Sequence, residues 1–152
     1  MTLGEFVQKY GWVFEDSPWV AERAWSAGPF EDVSAMHAAM VSVVASASRE
    51  EQLALIRAHP DLGAKARMSS ASVSEQAGAG LDQLTETEFR ELHDLNGKYR
   101  ERFGFPFIYA VKGSSKRDIL RELRRRVSEN PDVERITALE QIGRIAWFRL
   151  NS

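Results

Sequence analysis

The sequence contains no cysteine. This absence excludes disulfides, thiolate metal sites and cysteine nucleophiles. The chain also has no large excess of either charge, because 20 lysines and arginines stand against 22 aspartates and glutamates, a formal net charge of −2. Neither a nucleic acid nor an anionic membrane is attracted by such a global charge, so an anionic ligand must be held by local groups.

Long apolar runs are absent as well. No stretch approaches the roughly 18 apolar residues that a membrane-spanning helix needs, and residues 1–10 lack the uninterrupted apolar core of a secretory signal. We therefore expect a cytoplasmic protein with no membrane as partner. With 152 residues, 43% of them hydrophobic, the chain is long enough for one sizeable core, so we expect a single domain over residues 1–152.

What the chain does contain is a series of helical patterns separated by short breaks. No alternation of apolar and polar residues is long enough to require a sheet, so the predicted fold class is all-α, in one compact multi-helix domain. Serine or threonine followed three residues later by an acid, the capping-box pattern, marks several helix starts. Helices are predicted over 18–26, 32–47, 48–58, 85–103 and 115–127, and from Pro131, as first helical residue, into the C-terminal region.

The most informative motif is Ala58-His59-Pro60-Asp61-Leu62-Gly63. Proline removes a backbone donor and disfavours the helical conformation of the residue before it, which places His59 at the end of a helix. Histidine is the side chain that gives or takes a proton near neutral pH. A helix stop followed by a turn is the alternative interpretation of this motif on its own.

A second motif runs from Ser72 to Leu81, with the sequence SVSEQAGAGL. Ser72 and Glu75 form a capping box, which predicts a helix start at Ser72 after a small polar loop over residues 69–72. The N-terminus of a helix offers unpaired backbone donors to an anion, and Glu75 and Gln76 would add an acceptor and an amide. Ordinary helix capping is the alternative.

A third motif, residues 102–113, reads RFGFPFIYAVKG. Glycine and proline interrupt a dense apolar run, so we predict a buried, extended segment from Phe105 to Val111. Its backbone groups need hydrogen-bond partners. These partners are either neighbouring backbone and water or a polar ligand that lies along the segment.

The three motifs, in this order and at these separations, resemble the OHCU decarboxylase family, whose substrate is 2-oxo-4-hydroxy-4-carboxy-5-ureidoimidazoline. The likeness spans essentially the whole chain. It implies an all-helical homodimer that uses no metal or organic cofactor. It also implies the reaction, decarboxylation of this small molecule to (S)-allantoin, which is the last step from urate to allantoin.

The resemblance also carries residue roles to positions of this chain. His59 corresponds to the catalytic histidine, and Pro60 to a proline that contacts substrate. Glu75 would act with His59, by orienting the substrate hydroxyl or by holding the histidine in a useful protonation state. Arg149 aligns with a substrate-binding arginine of the last helix, with Arg144 as the nearby alternative. The other substrate contacts are expected from Ser72, Val73, Ser74 and Gln76, and from main-chain groups of Phe107, Ile108, Tyr109, Ala110 and Val111.

Two rival hypotheses come from other readings of the same chain. In the first, a small helical nucleic-acid-binding or regulatory module would use the arginines of residues 121–126 as its phosphate contacts. Acids and leucines interrupt that run, which is typical of a solvated amphipathic helix, so we expect no nucleic acid as partner. In the second, an enzyme of the same fold acts on a related ureido acid. His37 and His93 have no neighbours at metal-ligand spacing and are assigned no function.

Overall fold

The computed structural model describes residues 1–63 and 69–152. All regular structure in these residues is helical, which confirms the predicted all-α class. Two short 3-10 turns, Gly11–Val13 and Trp25–Ala27, accompany the α-helices. The α-helices are α1 (Leu3–Tyr10), α2 (Trp19–Ala24), α3 (Val33–Ser46), α4 (Arg49–Arg57), α5 (Ser70–Gly78), α6 (Glu86–Phe103), α7 (Lys116–Arg126) and α8 (Pro131–Leu150).

Local capping signals explain most helix boundaries. The boxes that begin at Ser48, Thr85 and Ser115 are all formed, with both reciprocal hydrogen bonds, at the starts of α4, α6 and α7. Pro131 is the first residue of α8, as its fixed φ favours. A further box at Thr2 starts α1, a helix that the sequence patterns above did not predict.

The start of α5 differs from the prediction. Ser69, not Ser72, is the N-cap, and its hydroxyl accepts from the Ser72 N–H at 3.1 Å. The predicted polar loop over residues 69–72 is therefore the first turn of the helix. Serine is an equally good cap at either position, and the earlier cap adds three residues with their backbone hydrogen bonds to the helix.

The chain forms two compact units. The first consists of residues 1–58 and 139–152, and the second of residues 59–138, so that α8 contributes residues to both. Fully buried side chains of the first unit include Val20, Met40, Leu55, Ile56 and Ile142. Those of the second include Leu92, Tyr99, Phe107, Ile119 and Leu123.

Aromatic packing fixes the segment after α6 within the second unit. Gly104 ends α6 in the left-handed conformation. The Tyr99 ring then packs against Phe103, Phe105 and Phe107, with centroid separations of 4.4, 6.0 and 5.5 Å. Residues 105–108, 110 and 111 are buried and belong to no helix. The prediction of a buried, non-helical segment over Phe105–Val111 is thus confirmed.

None of the helices in the described part of the chain is both long and apolar enough to cross a membrane.

Candidate active site

His59 lies just beyond the end of α4, as predicted. Arg57 is the last residue of the helix and Ala58 is its C-cap. His59 is buried, with 7% of its surface exposed, and Pro60 behind it is half-buried. Pro60 cannot continue the helix, so the imidazole is presented by a turn.

Side chains of α6 hold the turn that follows His59. Arg100 donates to the Asp61 carboxylate at 2.8 Å, and the amide of Asn96 donates to the Leu62 carbonyl at 3.0 Å. Asn96 is buried, and a buried polar side chain that is hydrogen-bonded to backbone fixes local geometry strongly. The turn is therefore restrained at two consecutive residues.

A third hydrogen bond joins this turn to α5. The Gly63 N–H donates to Oε1 of Gln76 at 2.8 Å. Gly63 adopts a left-handed φ of 72°, which glycine accommodates without strain. Through this bond the structure brings the His59 turn and the second predicted motif together. Gln76 thus orients the turn, a role that its predicted contact with substrate did not include.

The corrected start of α5 changes what residues 72–76 can offer a ligand. Ser72 is the third helical residue, and its N–H is already bonded to Ser69, as is the Val73 N–H, which donates to the Ser69 carbonyl at 3.0 Å. The prediction that helix-terminal backbone donors at Ser72 hold an anion is therefore wrong. Any binding here must come from side chains.

These side chains separate by burial. Ser72 and Gln76 are buried, and Glu75 is half-buried. Val73 and Ser74 are exposed. One face of α5 therefore presents a hydroxyl, a carboxylate and an amide, and this grouping is the one that suits a small, polar substrate.

The Phe107–Val111 segment is anchored through its backbone. The Ile108 carbonyl accepts from Nη1 of Arg126 at 2.6 Å. Phe107 and Tyr109 stack with their centroids 6.1 Å apart, and the Tyr109 hydroxyl lies 3.0 Å from Oγ of Ser114. Main-chain groups of a segment held in this way are preorganised, so a ligand need not order them on binding.

Arg126 lies on the buried face of the amphipathic helix α7. Only 1% of Arg126 is exposed, and both its Nε and Nη2 lie 2.5 Å from Oε1 of Glu134. The Tyr99 hydroxyl donates to the same oxygen at 2.6 Å. Burial, with this hydrogen bond second, raises the pKa of Tyr99 far above its ordinary value, so that the phenol remains a donor at all working pH values.

Three further arginines of α7 pair with acids. Arg121 pairs with Asp118, Arg124 with Glu91, and Arg125 with Glu122. Carboxylates that already neutralise these guanidinium groups weaken the case for phosphate contacts from this helix.

Arg149 belongs to the first unit, whereas every other predicted site residue belongs to the second. Its side chain is buried, with Nη1 3.3 Å from Oε1 of the equally buried Glu15 and 3.3 Å from the Trp12 carbonyl. Arg144, the alternative, is exposed. Of the two arginines, Arg149 is the one that these buried contacts hold in place.

The two other histidines differ from each other. His93 is exposed and stacks on Phe89, in keeping with its lack of an assigned function. His37 is half-buried, and its Nε2 lies 2.7 Å from the Gly143 carbonyl. Across the described residues, no three His, Asp or Glu side chains are grouped as a metal site would require.

A cavity of about 540 Å³ opens beside Gly63 and Gln76. Apolar side chains, among them Val73, Leu84 and Phe89, supply much of its lining. His59, Ser72 and Glu75 are not part of that lining, so the cavity supports no assignment of chemistry to them.

Sequence reasoning missed three residues of this site: Asn96, Arg126 and Glu134. Asn96 had a detectable signal, because it continues the apolar face of α6 at a spacing of four from Leu92. A polar residue on such a face needs a buried hydrogen-bond partner. Arg126 had no such signal, because it is the last of three consecutive arginines and the sequence does not distinguish it from the other two.

The comparisons with known proteins agree on one family. The model of the OHCU decarboxylase family matches residues 1–151. A Haloferax volcanii protein named 2-oxo-4-hydroxy-4-carboxy-5-ureidoimidazoline decarboxylase is 48% identical over 145 residues, which are 95% of this chain and 86% of that one. A Bacillus sp. uric acid degradation bifunctional protein is 44% identical over 99% of this chain, but only 30% of that protein is covered.

Solved structures show the same fold. A crystal structure of (S)-allantoin synthase superposes with a TM-score of 0.82 at 34% identity; the match covers 99% of this chain, which spans half the length of that one. An OHCU decarboxylase crystallised in the presence of (S)-allantoin has a TM-score of 0.73, with 87% of each chain covered, and at 23% identity it supports the fold alone. The family match over nearly the full length, joined to these identities, establishes that the chain belongs to the OHCU decarboxylase family.

Proposed function

We propose that this protein decarboxylates 2-oxo-4-hydroxy-4-carboxy-5-ureidoimidazoline to (S)-allantoin, the last step from urate to allantoin. The observation that carries the proposal is the buried His59 at the end of α4, followed by a turn that is hydrogen-bonded to α5 and α6. Membership of the family and the printed names of the relatives support it. The same support leads us to propose one functional domain over residues 1–152.

The substrate supplies its own electron sink. The bond between the ring carbon and its carboxylate breaks, and the electron pair flows into the adjacent C=N group as CO2 leaves. In the resulting enediamine-like intermediate, the former imine carbon takes a proton on one face while the ring hydroxyl releases its proton and becomes a carbonyl, and the face that is protonated sets the chirality of the product. The reaction therefore needs no pyridoxal or thiamine, and we propose that the enzyme works without a cofactor.

His59 is the proposed proton donor. An imidazole titrates close to neutral pH, and a positioned acid or base contributes about 10²- to 10⁴-fold to a rate. Its turn is restrained through Leu62 and Gly63. This restraint fixes the direction from which a proton arrives, and a fixed direction is what a stereospecific protonation requires.

The polar face of α5 is the proposed partner of His59. Glu75 would orient the substrate hydroxyl or hold His59 in its useful protonation state, while Ser72 and Gln76 complete a polar wall. Val73 and Ser74 are exposed beside this wall, and we propose them as further contacts of substrate. Pro60 would pack against the substrate ring.

Two further groups are proposed to bind substrate. Main-chain groups of Phe107–Val111 would bind the ureido arm and the ring, and the buried side chains around them would exclude water. Arg149 would bind the anionic group, because a guanidinium matches a carboxylate with two parallel hydrogen bonds. We further propose a homodimer, as the resemblance to the family implies, and a cytoplasmic location, as expected from the sequence.

The experiment compares two histidine variants. His59→Asn keeps a polar side chain of similar size and removes the titratable group, so turnover of freshly generated substrate should fall by about 10²-fold or more. His93→Asn is the matched control, because His93 is exposed on α6, and it should keep wild-type turnover. Equal activity in both variants, with the fold verified by circular dichroism, would contradict the proposal.

A further inference from the structure

Three polar side chains are buried together in the second unit and play no part in the chemistry proposed above. Tyr99, Arg126 and Glu134 are each at most 1% exposed. Glu134 Oε1 accepts from Nε of Arg126 at 2.5 Å and from the Tyr99 hydroxyl at 2.6 Å, and the carboxylate forms an ion pair with the Arg126 guanidinium. Nη1 of Arg126 remains for a different partner, the Ile108 carbonyl at 2.6 Å.

Stability alone does not account for this cluster. The desolvation of a buried ion pair consumes most of its Coulombic attraction, and apolar side chains of the same volume often give an equally stable protein. A buried Arg–Glu pair is therefore better explained by the geometry that it imposes. In this protein, the segment on which the Arg126–Glu134 pair imposes its geometry is the non-helical segment 107–111.

Arg126 contacts this segment at two consecutive residues. Besides the hydrogen bond to Ile108, its guanidinium lies over the Phe107 ring, 4.5 Å from the centroid. A non-helical segment has no ladder of its own to orient its peptide groups, so a fixed donor at one carbonyl sets the direction of that group. The Phe107 ring lies under the same guanidinium and the Tyr109 hydroxyl is 3.0 Å from Oγ of Ser114, so the residues on both sides of Ile108 are held as well and the two soft dihedrals between neighbouring peptide planes are restrained.

We propose that Arg126, held by Glu134, is a positioning residue that orients the main-chain groups of Phe107–Val111 for substrate. The inference rests on the proposed function, because only a ligand bound to these groups gives their orientation a catalytic consequence. Arg126 itself touches no reacting atom. Its contribution should appear in substrate binding more than in the chemical step.

The test compares Arg126→Lys with Tyr99→Phe. Lysine keeps the positive charge beside Glu134, but a single ammonium cannot reproduce the fork that reaches Glu134 and Ile108 together. Tyr99→Phe removes one donor from Glu134 and leaves the bond from Arg126 to Ile108 in place. We expect KM to rise about tenfold or more in Arg126→Lys with kcat lowered by less than about threefold, and KM within about twofold of wild type in Tyr99→Phe.

Amide hydrogen exchange gives a second readout that does not depend on turnover. Exchange over residues 107–111 should be faster in Arg126→Lys than in wild type and unchanged in Tyr99→Phe. A wild-type protein without decarboxylase activity would refute the proposed function, whereas the exchange pattern would still report the anchoring. A folded Arg126→Lys with wild-type KM and wild-type exchange overturns the inference, and so does an equal rise of KM in both variants.

A triple variant decides the matter if Arg126→Lys does not fold. Tyr99→Phe/Arg126→Met/Glu134→Leu removes the charges and the hydroxyl together, so that no buried charge is left uncompensated. The donor to Ile108 is still lost. KM should rise as in Arg126→Lys, and a wild-type KM in the folded triple variant would overturn the inference.

Discussion

Gly63 offers the sharpest test of the turn that carries His59. Its φ of 72° lies in the left-handed region, and its N–H is bonded to Gln76. A Cβ at this position would lie 2.5 Å from Cδ2 of Leu92 and 3.4 Å from Cδ1 of Leu84. Leu92 is 2% exposed and cannot swing into solvent. Gly63→Ala therefore combines backbone strain with overpacking.

The two penalties can be added. A left-handed residue with a Cβ costs about 1–2 kcal/mol, and an extra carbon in a packed core costs about 1–3 kcal/mol. The smaller conformational freedom of alanine in the unfolded chain offsets about 0.4–1 kcal/mol. The net loss is about 1–4.5 kcal/mol, with about 3 kcal/mol near the middle. At about 2–4 °C per kcal/mol for a chain of this size, the corresponding fall in Tm is about 9 °C.

Urea and thermal unfolding of three alanine variants separate these terms. Gly80 also has a positive φ, of 82°, but among the described residues no atom lies within 4 Å of its Cβ position, so Gly80→Ala tests the backbone term alone. Gly97 lies inside α6 with the same open surroundings, and Gly97→Ala should stabilise the protein by about 0.5–1 kcal/mol. If Gly63→Ala were as stable as Gly80→Ala, the close contacts of Leu92 and Leu84 with residue 63 of the His59 turn would be contradicted.

Three further outcomes follow from the same contacts. Glu75→Gln should lower turnover by about 10²-fold. Its Tm should change little, because Glu75 does not cap α5. Full activity of this variant would show that Glu75 has no catalytic role. The hydrogen bond from Lys116 holds the pKa of Glu88 at about 2, below the ordinary 4.5. The stability that ionised Glu88 contributes is therefore present above pH 4.5 and is lost as the pH falls toward 2. Glu88→Gln should flatten acid unfolding over that window, and an unchanged curve would refute the assignment. Arg149→Met should lower the free energy of unfolding by about 3–5 kcal/mol, because it breaks a buried ion pair. Arg144→Met, on the surface, should change it by less than about 0.5 kcal/mol. Urea unfolding measures both values, and equal losses in the two variants would contradict the prediction.

Helix boundaries were predictable where the signal was local and had no competitor. The caps at Ser48, Thr85 and Ser115 each combine a hydroxyl with an acid three residues later, and no equivalent pair stands close by. The start of α5 was not predictable in this way. Ser69 and Ser72 both offer a capping hydroxyl, and the acid at residue 75 favoured Ser72 in the prediction. The cap at Ser69 instead gives a helix three residues longer, a gain that the capping pattern does not report.

The position of His59 at the end of a helix could be predicted, but the long-range contacts of the two buried arginines could not. His59 is placed by Pro60, its immediate neighbour, whereas Arg126 depends on an acid eight residues later and on a carbonyl 18 residues earlier. The partner of Arg149 is Glu15, 134 residues away. Helical spacing reports neighbours three and four residues apart and carries no information about such contacts.

The most direct test of the central claim is the stereochemical course of the reaction. Substrate is generated in situ from urate in the presence of a chelator, and the product is followed by circular dichroism. We predict dextrorotatory (S)-allantoin, formed faster than by the spontaneous route that yields racemic product. Equal rates and racemic allantoin with and without the protein would contradict the account.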